Sequence, residues 1–217
     1  MDIKKILSLT DHTNLAQNAD EGDIARLIDE AEEYGCASVC IPPSLVKFGA
    51  GYRKTAKICT VIGFPNGYNT KEVKCYETEC AIEAGADEID MVINLALVKM
   101  GRYDEILDEI NAVKASCHGR LLKVIIETCL LSYDEKVRLC EVVSKSDAEF
   151  IKTSTGFSSG GATAEDVALL RKHCLGKSVK AAGGIKTLCD AEEFVSLGAD
   201  RLGSSRIVRL VKETEVR

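Results

Sequence analysis

The sequence predicts an α/β protein, a single-domain (β/α)8 TIM barrel over residues 1–217, and three observations favour it. Strand-like apolar segments alternate with amphipathic helical segments eight times. A repeated motif, in which an amphipathic helical segment ends at a glycine and an apolar strand begins a few residues later, occurs at Gly35, Gly85 and Gly198. Strict alternation requires parallel strands joined by right-handed crossovers, in a closed barrel or an open sheet. Eight units without a linker or insertion favour the barrel.

Eight segments have the apolar content and length of buried strands. In chain order they cover 7–10, 38–41, 57–62, 88–93, 122–127, 149–153, 178–181 and 200–203. We expect eight helices, one after each strand, the last following Gly203.

The helices show two kinds of signal. Apolar residues recur at steps of three and four in two segments, namely Val73, Tyr76, Cys80 and Ala84, and Tyr103, Ile106, Ile110 and Val113. Capping boxes are predicted at three helix starts, pairing Ser132 with Glu135, Thr163 with Asp166, and Thr187 with Asp190.

Composition limits the classes of function. The formal net charge is -6 and no basic cluster occurs, which argues against a nucleic-acid surface. No stretch approaches membrane-spanning length, and the N-terminus lacks the apolar run of a signal peptide. The ten cysteines are scattered singly without a CxxC pair, which is typical of reduced thiols in the cytoplasm. We expect no metal and no cofactor.

Ionisable residues lie at or near the ends of four predicted strands: Asp90, Glu127, Lys152 and Lys180. In a barrel of this type the chemistry is located at the C-terminal ends of the strands. Side chains alternate between the two faces of a strand, so Lys152 points to the face opposite that of Ile151, and Lys180 to the face opposite that of Val179. If the β-branched neighbours face the helices, both lysines point into the barrel mouth.

Two ammonium groups in a partly desolvated site repel each other, so we expect one lysine to be neutral near pH 7. A neutral lysine attacks a carbonyl carbon and forms a Schiff base, which stabilises a carbanion at the next carbon. Asp90 would balance the remaining charge and shuttle protons with Lys180. The alternative is that both lysines reach solvent and Asp90 pairs with one of them.

Two further charged residues share a strand. Lys123 and Glu127 have the same parity, which predicts a structural ion pair inside the barrel. Glu127 is also a candidate for orienting Lys152.

Three glycine-containing loops follow strands six, seven and eight, at 155–156, 182–185 and 202–205. Glycine lets backbone N–H groups approach an anion, and helix N-termini favour negative charge. Loops after strands seven and eight of such barrels often hold a phosphate. The sequence therefore predicts a phosphate-binding site and a substrate that carries a phosphate group.

Eight motifs resemble the deoxyribose-phosphate aldolase family. They are DHTNL (11–15), SVCIPPSLV (38–46), VIGFPNG (61–67), ADEIDMVIN (86–94), LKVIIETCLL (122–131), FIKTSTGF (150–157), VKAAGGIKT (179–187) and DRLGSS (200–205). The resemblance implies a class I aldolase that reversibly cleaves 2-deoxy-D-ribose 5-phosphate to glyceraldehyde 3-phosphate and acetaldehyde, in deoxyribonucleotide catabolism.

Roles for single residues follow from the resemblance. Lys152 is the Schiff-base lysine, Lys180 the neighbour that lowers its pKa, and Asp90 the proton relay. The phosphate contacts fall on Gly156, Gly183, Gly184, Gly203 and Ser205. Asp11 and Thr13 match positions on the sugar side, and Cys40 matches a cysteine near the substrate that we interpret as packing.

The chain departs from some family members at three places. Phe157 stands where some carry a lysine, and Arg206 follows Gly203-Ser204-Ser205, where it would supply the missing charge. Some members end in a tyrosine that reaches the active site, whereas the last residues here are Glu215-Val216-Arg217. We therefore expect Asp90, Lys180 and water to carry proton transfer at the enamine.

Two other classes of function stay open. A different phosphosugar enzyme would be an isomerase, which needs a carboxylate base, or a metal aldolase, which needs clustered histidines; EDTA insensitivity would separate the latter. A non-catalytic phosphosugar-binding protein is the third class. Barrels of this kind often pair through helices, so a homodimer is a candidate assembly.

Overall fold

The chain forms a closed barrel of eight parallel strands in sequence order. A computed structural model describes residues 2–215. The strands are β1 (Thr10–Thr13), β2 (Ser38–Ile41), β3 (Ile58–Ile62), β4 (Glu88–Val92), β5 (Leu121–Ile125), β6 (Phe150–Lys152), β7 (Ser178–Ala182) and β8 (Arg201–Ser204). β1 pairs with β8, which closes the barrel and confirms the predicted fold class.

Helices surround this barrel. The described residues form α1 (Ile3–Ser8), α2 (Glu21–Glu33), α3 (Val46–Tyr52), α4 (Lys71–Glu83), α5 (Leu95–Lys99), α6 (Tyr103–Ser116), α7 (Tyr133–Lys145), α8 (Ala164–His173), α9 (Leu188–Ser196) and α10 (Ile207–Glu215). Short 3-10 turns cover Pro43–Leu45 and Thr128–Leu130. The prediction of eight helices was wrong by two, because α1 precedes the first strand and two helices, α5 and α6, connect β4 to β5.

The first predicted strand, at 7–10, was wrong. Ile6 and Leu7 belong to α1, which begins at an N-cap where the Asp2 carboxylate accepts a hydrogen bond from the Lys5 backbone N–H. The strand lies instead at Thr10–Thr13, a polar segment without an apolar signal. It is buried because its carboxylate, Asp11, has cationic partners inside the barrel.

Helix α4 has the opposite orientation to the one its apolar spacing indicates. Val73 is 49% exposed and Tyr76 is 69% exposed. The buried face carries Lys74 and Thr78 instead, because the Lys74 ammonium donates to the Val92 carbonyl and to Glu109, both at 2.7 Å. In α6 the spacing is confirmed, since Ile106, Ile110 and Val113 are buried.

The predicted helix ends are largely confirmed. Ser132 with Glu135 and Thr187 with Asp190 form complete capping boxes. Thr163 accepts from the Asp166 backbone N–H, but the Asp166 carboxylate binds Lys136 at 2.6 Å instead of closing the box. The three junction glycines each end a helix with positive φ: +65° at Gly35, +107° at Gly85 and +101° at Gly198.

The apolar core lies between the barrel and the helices. Alternate strand residues such as Val39, Ile89, Ile151 and Val179 face outward into it, while their neighbours face the barrel interior. The inward residues include charged side chains, which is the alternation that the sequence indicated for β6 and β7. All ten cysteines lie in the described part of the chain and are free thiols. Within residues 2–215 no helix is long and apolar enough to cross a membrane.

Candidate active site

The three predicted catalytic residues meet inside the barrel, near the C-terminal ends of the strands. Lys152 of β6 and Lys180 of β7 occupy paired register positions. Each ammonium nitrogen lies 2.7 Å from the same oxygen, Oδ2 of Asp90. The two nitrogen atoms therefore cannot be farther apart than twice that distance. Lys152 retains 3% exposure, and Asp90 and Lys180 are fully buried.

Opposite charges set the ionisation of this group. Burial alone would raise the pKa of Asp90, but Lys123, Lys152 and Lys180 together hold it well below its usual range. Burial alone would lower the pKa of Lys180, but Asp11 and Asp90 raise it above the usual lysine value. Lys180 is thus the charged member of the pair. The neutrality of Lys152 stays a prediction.

A third buried lysine, Lys123 of β5, contacts the same carboxylate. Its ammonium lies 2.8 Å from Asp90 Oδ1 and 2.7 Å from Glu88 Oε2. The predicted pair between Lys123 and Glu127 was wrong. Two residues four positions apart along an extended strand are separated by about 13 Å, and Lys123 takes its partners from the neighbouring strand β4.

Asp11 and Arg201 complete the buried ionic group. Asp11 forms ion pairs with Lys180 and Arg201, and Arg201 also binds Glu88 at 2.9 Å. Burial alone would raise the pKa of Asp11, but Lys180, Lys123 and Arg201 lower it below its usual range. Asp11 was predicted to line the sugar side. That role stays a prediction; in the structure Asp11 is fully buried in the barrel interior, where it pairs with these cations.

Glu127 lies just beyond β5 with a left-handed backbone, at φ of 54°. Its carboxylate accepts hydrogen bonds from the backbone N–H of Thr155, at 3.3 Å, and from the Thr155 hydroxyl. Glu127 therefore anchors the loop that follows Lys152. The structure shows no hydrogen bond or ion pair between Glu127 and Lys152 among the described residues.

Two thiols line the same interior. Cys40 and Cys59 are register partners on β2 and β3, and both are buried. A hydrogen bond to Cys59 lowers the pKa of Cys40, while burial raises that of Cys59 well above its usual value. Two trios among the described residues are close enough to bind a metal, Cys40–Cys59–Asp90 and Asp11–Cys59–Glu88. Every carboxylate in them is already paired with a lysine or with Arg201.

A cavity of about 520 Å³ opens beside this ionic group at the loops after β1, β6, β7 and β8. Its size suits a small phosphorylated sugar. It brings together six predicted site residues, namely Thr13, Gly156, Gly183, Gly184, Gly203 and Ser205. Asp90, Lys152 and Lys180 are not among the residues that line it, but Lys180 packs against the lining residue Gly203.

The cavity wall also contains the residues by which this chain departs from some family members. Phe157 packs edge-to-face against Phe64, with ring centroids 5.3 Å apart. Arg206 lines the cavity, as does Lys186, so two cations are present where a phosphate is expected. The expectation about the C-terminus concerns Glu215, Val216 and Arg217; the last two lie outside the described residues.

Sequence reasoning missed the roles of Glu88, Lys123, Arg201 and Lys186. Glu88 and Lys123 have the same signal as Lys152, a charged residue in a strand that is otherwise apolar. Glu88 and Arg201 lie near the N-terminal ends of the predicted strands 88–93 and 200–203, whereas the sequence reasoning looked for site residues at the C-terminal ends, which explains why both were missed. Lys186 directly follows the glycine loop after β7, a position where a cation adjoins an anion site.

Comparison with known proteins agrees with this geometry. The family model for DeoC/LacD family aldolases matches residues 5–202. A deoxyribose-phosphate aldolase of Streptococcus agalactiae is 53% identical over 218 residues, covering all of this chain and 98% of the relative. One from Streptococcus pyogenes serotype M4 is 54% identical over 214 residues, covering 98% of this chain and 96% of the relative.

Solved structures show the same barrel. An aldolase named QR15 superposes with a TM-score of 0.93 at 35% identity, covering all of this chain and 97% of the other. The tetrameric deoxyribose phosphate aldolase of Aeropyrum pernix has a TM-score of 0.89 at 32% identity, covering 99% of this chain and 92% of the other. The resemblance inferred from the motifs is confirmed, and the chain belongs to the DeoC/LacD family of aldolases.

Proposed function

We propose that this chain, as one barrel domain over residues 1–217, is a class I aldolase that cleaves 2-deoxy-D-ribose 5-phosphate reversibly. The products are glyceraldehyde 3-phosphate and acetaldehyde, and the covalent intermediate is a Schiff base on Lys152. The observation that carries the proposal is the shared oxygen of Asp90, which holds two lysine nitrogens at 2.7 Å beside a cavity suited to a phosphosugar. The names of the streptococcal relatives support this choice of substrate.

The first step forms the imine. The neutral amine of Lys152 attacks the aldehyde carbon, C1, of the open-chain sugar, and loss of water leaves a protonated imine. We assign Lys180 as the proton donor to the departing hydroxyl, because Lys180 and Lys152 share one carboxylate oxygen of Asp90. The Asp90 carboxylate keeps both nitrogens in place and balances the positive charge of the protonated imine.

The second step breaks the bond between C2 and C3. A base removes the proton of the C3 hydroxyl, the C2–C3 electron pair moves into the protonated imine, and glyceraldehyde 3-phosphate leaves. The remaining enamine takes a proton at C2, and water hydrolyses the imine to acetaldehyde and free Lys152. Asp90, Lys180 and water supply these protons, in keeping with the sequence expectation.

The phosphate binds at the other end of the substrate. The glycines of the loops after β6, β7 and β8 permit close approach of backbone N–H groups, and Arg206 and Lys186 add positive charge. This contact would hold the sugar so that C1 extends toward Lys152, and we therefore expect a preference for the phosphorylated substrate.

Chemical trapping tests the proposal directly. Borohydride added with 2-deoxyribose 5-phosphate is expected to leave one stable adduct on Lys152, which peptide mass spectrometry locates. The purified protein is expected to release acetaldehyde from 2-deoxyribose 5-phosphate, and Lys152→Ala to lose at least about a thousandfold in rate because the covalent path is removed.

Ribose 5-phosphate serves as the control substrate, since its 2-hydroxyl distinguishes it. An adduct located on Lys180, or full activity in Lys152→Ala, would contradict the assignment.

We also propose a place and an assembly for this enzyme. Free thiols at all ten cysteines fit a reducing compartment, so we propose the cytoplasm, with a role in deoxyribonucleotide breakdown. A homodimer remains our proposal for the assembly, and light scattering of the purified protein tests it. A monomer mass would contradict it.

A further inference from the structure

The barrel interior holds a larger ionic group than the reaction itself uses. Seven charged side chains from six strands are joined through ion pairs; they are Asp11, Glu88, Asp90, Lys123, Lys152, Lys180 and Arg201. All are buried or nearly so. In such a setting a surplus charge is costly, so the group tends toward neutrality.

Counting the members shows a surplus of bases. There are three carboxylates and four basic side chains, so complete ionisation would leave one excess positive charge. Neutrality is reached when one base gives its proton to solvent. Arg201 is excluded because a guanidinium does not lose its proton in proteins.

The contacts single out Lys152 as the base that gives up its proton. Lys123 lies close to the carboxylates of Glu88 and Asp90, and Lys180 to those of Asp11 and Asp90. Among the described residues Lys152 has one such partner, Asp90, and it shares that oxygen with Lys180. It is also the least buried of the three lysines, at 3% exposure against 0% for Lys123 and Lys180.

Other titratable groups near Lys152 affect the balance in different ways. Cys40 on β2 and Cys59 on β3 face the same interior, and a thiolate at Cys40 would supply a fourth negative charge. Glu127, beyond β5, is buried but has no cation within ion-pair distance among residues 2–215, and Thr155 satisfies its oxygens. We therefore do not count Glu127 as a member of the ionic group. The experiment below tests Cys40 and Glu127 with one variant each.

We propose that Lys123 is a positioning residue whose charge keeps Lys152 unprotonated, by completing a buried group that holds one base more than it has acids. The proposal rests on the proposed function and extends it to a residue that does not reach the substrate. Lys180 alone is insufficient on this account, because without Lys123 three bases would face three carboxylates and Lys152 would keep its proton.

The test measures how fast acetaldehyde is trapped on Lys152 by cyanoborohydride, as a function of pH. Acetaldehyde does not titrate, so the midpoint of the profile reports the amine. In Lys123→Met the midpoint is expected to rise by about one to two pH units, the size expected for removing a charge roughly 7 Å away. At high pH the trapping rate is expected to approach that of the wild type.

A charge change of opposite sign gives the opposite shift. Glu88→Gln increases the surplus of positive charge, so its midpoint is expected to fall. The double variant Lys123→Met with Glu88→Gln restores the surplus of one and is expected to return the midpoint toward the wild-type value. If Lys123→Met does not fold, the direction of the Glu88→Gln shift decides the proposal alone.

Lys74→Met is the matched control, because Lys74 is equally buried and paired with Glu109 but lies outside the barrel. Its midpoint is expected to stay in place even if stability falls. An unmoved Lys123→Met midpoint, or an equal shift in Lys74→Met, would overturn the proposal. A fall in Cys40→Ser or Glu127→Gln as large as that in Glu88→Gln would also overturn it, because that residue would then balance Lys152.

Failure of the proposed function gives a different result. If the wild type forms no adduct on Lys152 at any pH, the aldolase mechanism itself is wrong and this inference with it. If the adduct forms and the midpoints do not respond to charge, only the role of Lys123 is wrong.

Discussion

Among single residues, Arg206 has a position in the cavity wall that suggests a specific role, the binding of the substrate phosphate. Phe157 occupies the place where some family members carry a lysine, and its ring packs on Phe64 instead of offering a charge. Arg206 lines the same cavity from the start of α10, next to Ser204 and Ser205. In this chain the positive charge of the cavity wall comes from Lys186 after β7 and Arg206 after β8.

We expect Arg206→Gln to raise KM for 2-deoxyribose 5-phosphate by roughly tenfold to a hundredfold, the effect of losing one charge-assisted hydrogen bond. Steady-state kinetics with unphosphorylated 2-deoxyribose should show no such change, since no phosphate is bound. Arg209→Gln, an exposed cation of the same helix that does not line the cavity, is the control. An equal effect on both substrates would place Arg206 outside the phosphate site.

At the level of elements, the first turn of α9 is hydrogen-bonded to a loop that lines the cavity. Its capping box joins Thr187 and Asp190. The Asp190 carboxylate accepts hydrogen bonds from the backbone N–H groups of Lys186, at 2.8 Å, and of Thr187, at 2.9 Å. The same residue therefore fixes both the first turn of α9 and the glycine loop after β7.

Two variants of this box separate stability from binding. Thr187→Ala and Asp190→Ala are each expected to lower the free energy of unfolding by about 1 kcal/mol, because each removes a cap contact. Only Asp190→Ala leaves the Lys186 N–H without its acceptor, so only this variant is expected to raise KM, roughly fivefold. Urea unfolding and steady-state kinetics measure the two effects. Equal KM values in both variants would show that the loop holds its shape without Asp190.

For the whole molecule, the ionic interior links folding to pH. The pKa values of Asp11 and Asp90 are lowered in the folded protein, since cations surround both carboxylates. The folded state thus binds fewer protons than the unfolded chain at acid pH. The resulting stabilisation is complete above the unfolded pKa of about 3.9 and is lost as the pH falls toward the folded pKa.

Acid titration of stability checks this. The free energy of unfolding, measured with urea between pH 7 and pH 3, is expected to fall most steeply below about pH 4. Asp11→Asn is expected to lose about 3 to 5 kcal/mol at pH 7, because Lys180 and Arg201 lose a buried partner. The gap between variant and wild type should narrow as the pH decreases. A gap of constant size would show that the Asp11 charge contributes nothing.

The sequence was sufficient to predict the barrel and the meeting of Lys152, Lys180 and Asp90 inside it, because alternation along a strand depends on local sequence alone. It was insufficient for the partners of Lys123, which depend on the register that sets Asp90 beside it on the next strand. The face of α4 was also predicted wrongly. Lys74 is buried there by a partner on α6, and no periodicity within α4 reveals that contact.

The division between an apolar layer outside the sheet and an ionic group inside it has a practical consequence for anyone who wishes to engineer this protein. Outward residues such as Ile89 and Val179 can be repacked against the helices to withstand heat, while the inward residues beside them keep their reactivity. Alternate residues of the same strands thus determine thermal stability and reactivity, so each property can be changed without substituting the residues that determine the other.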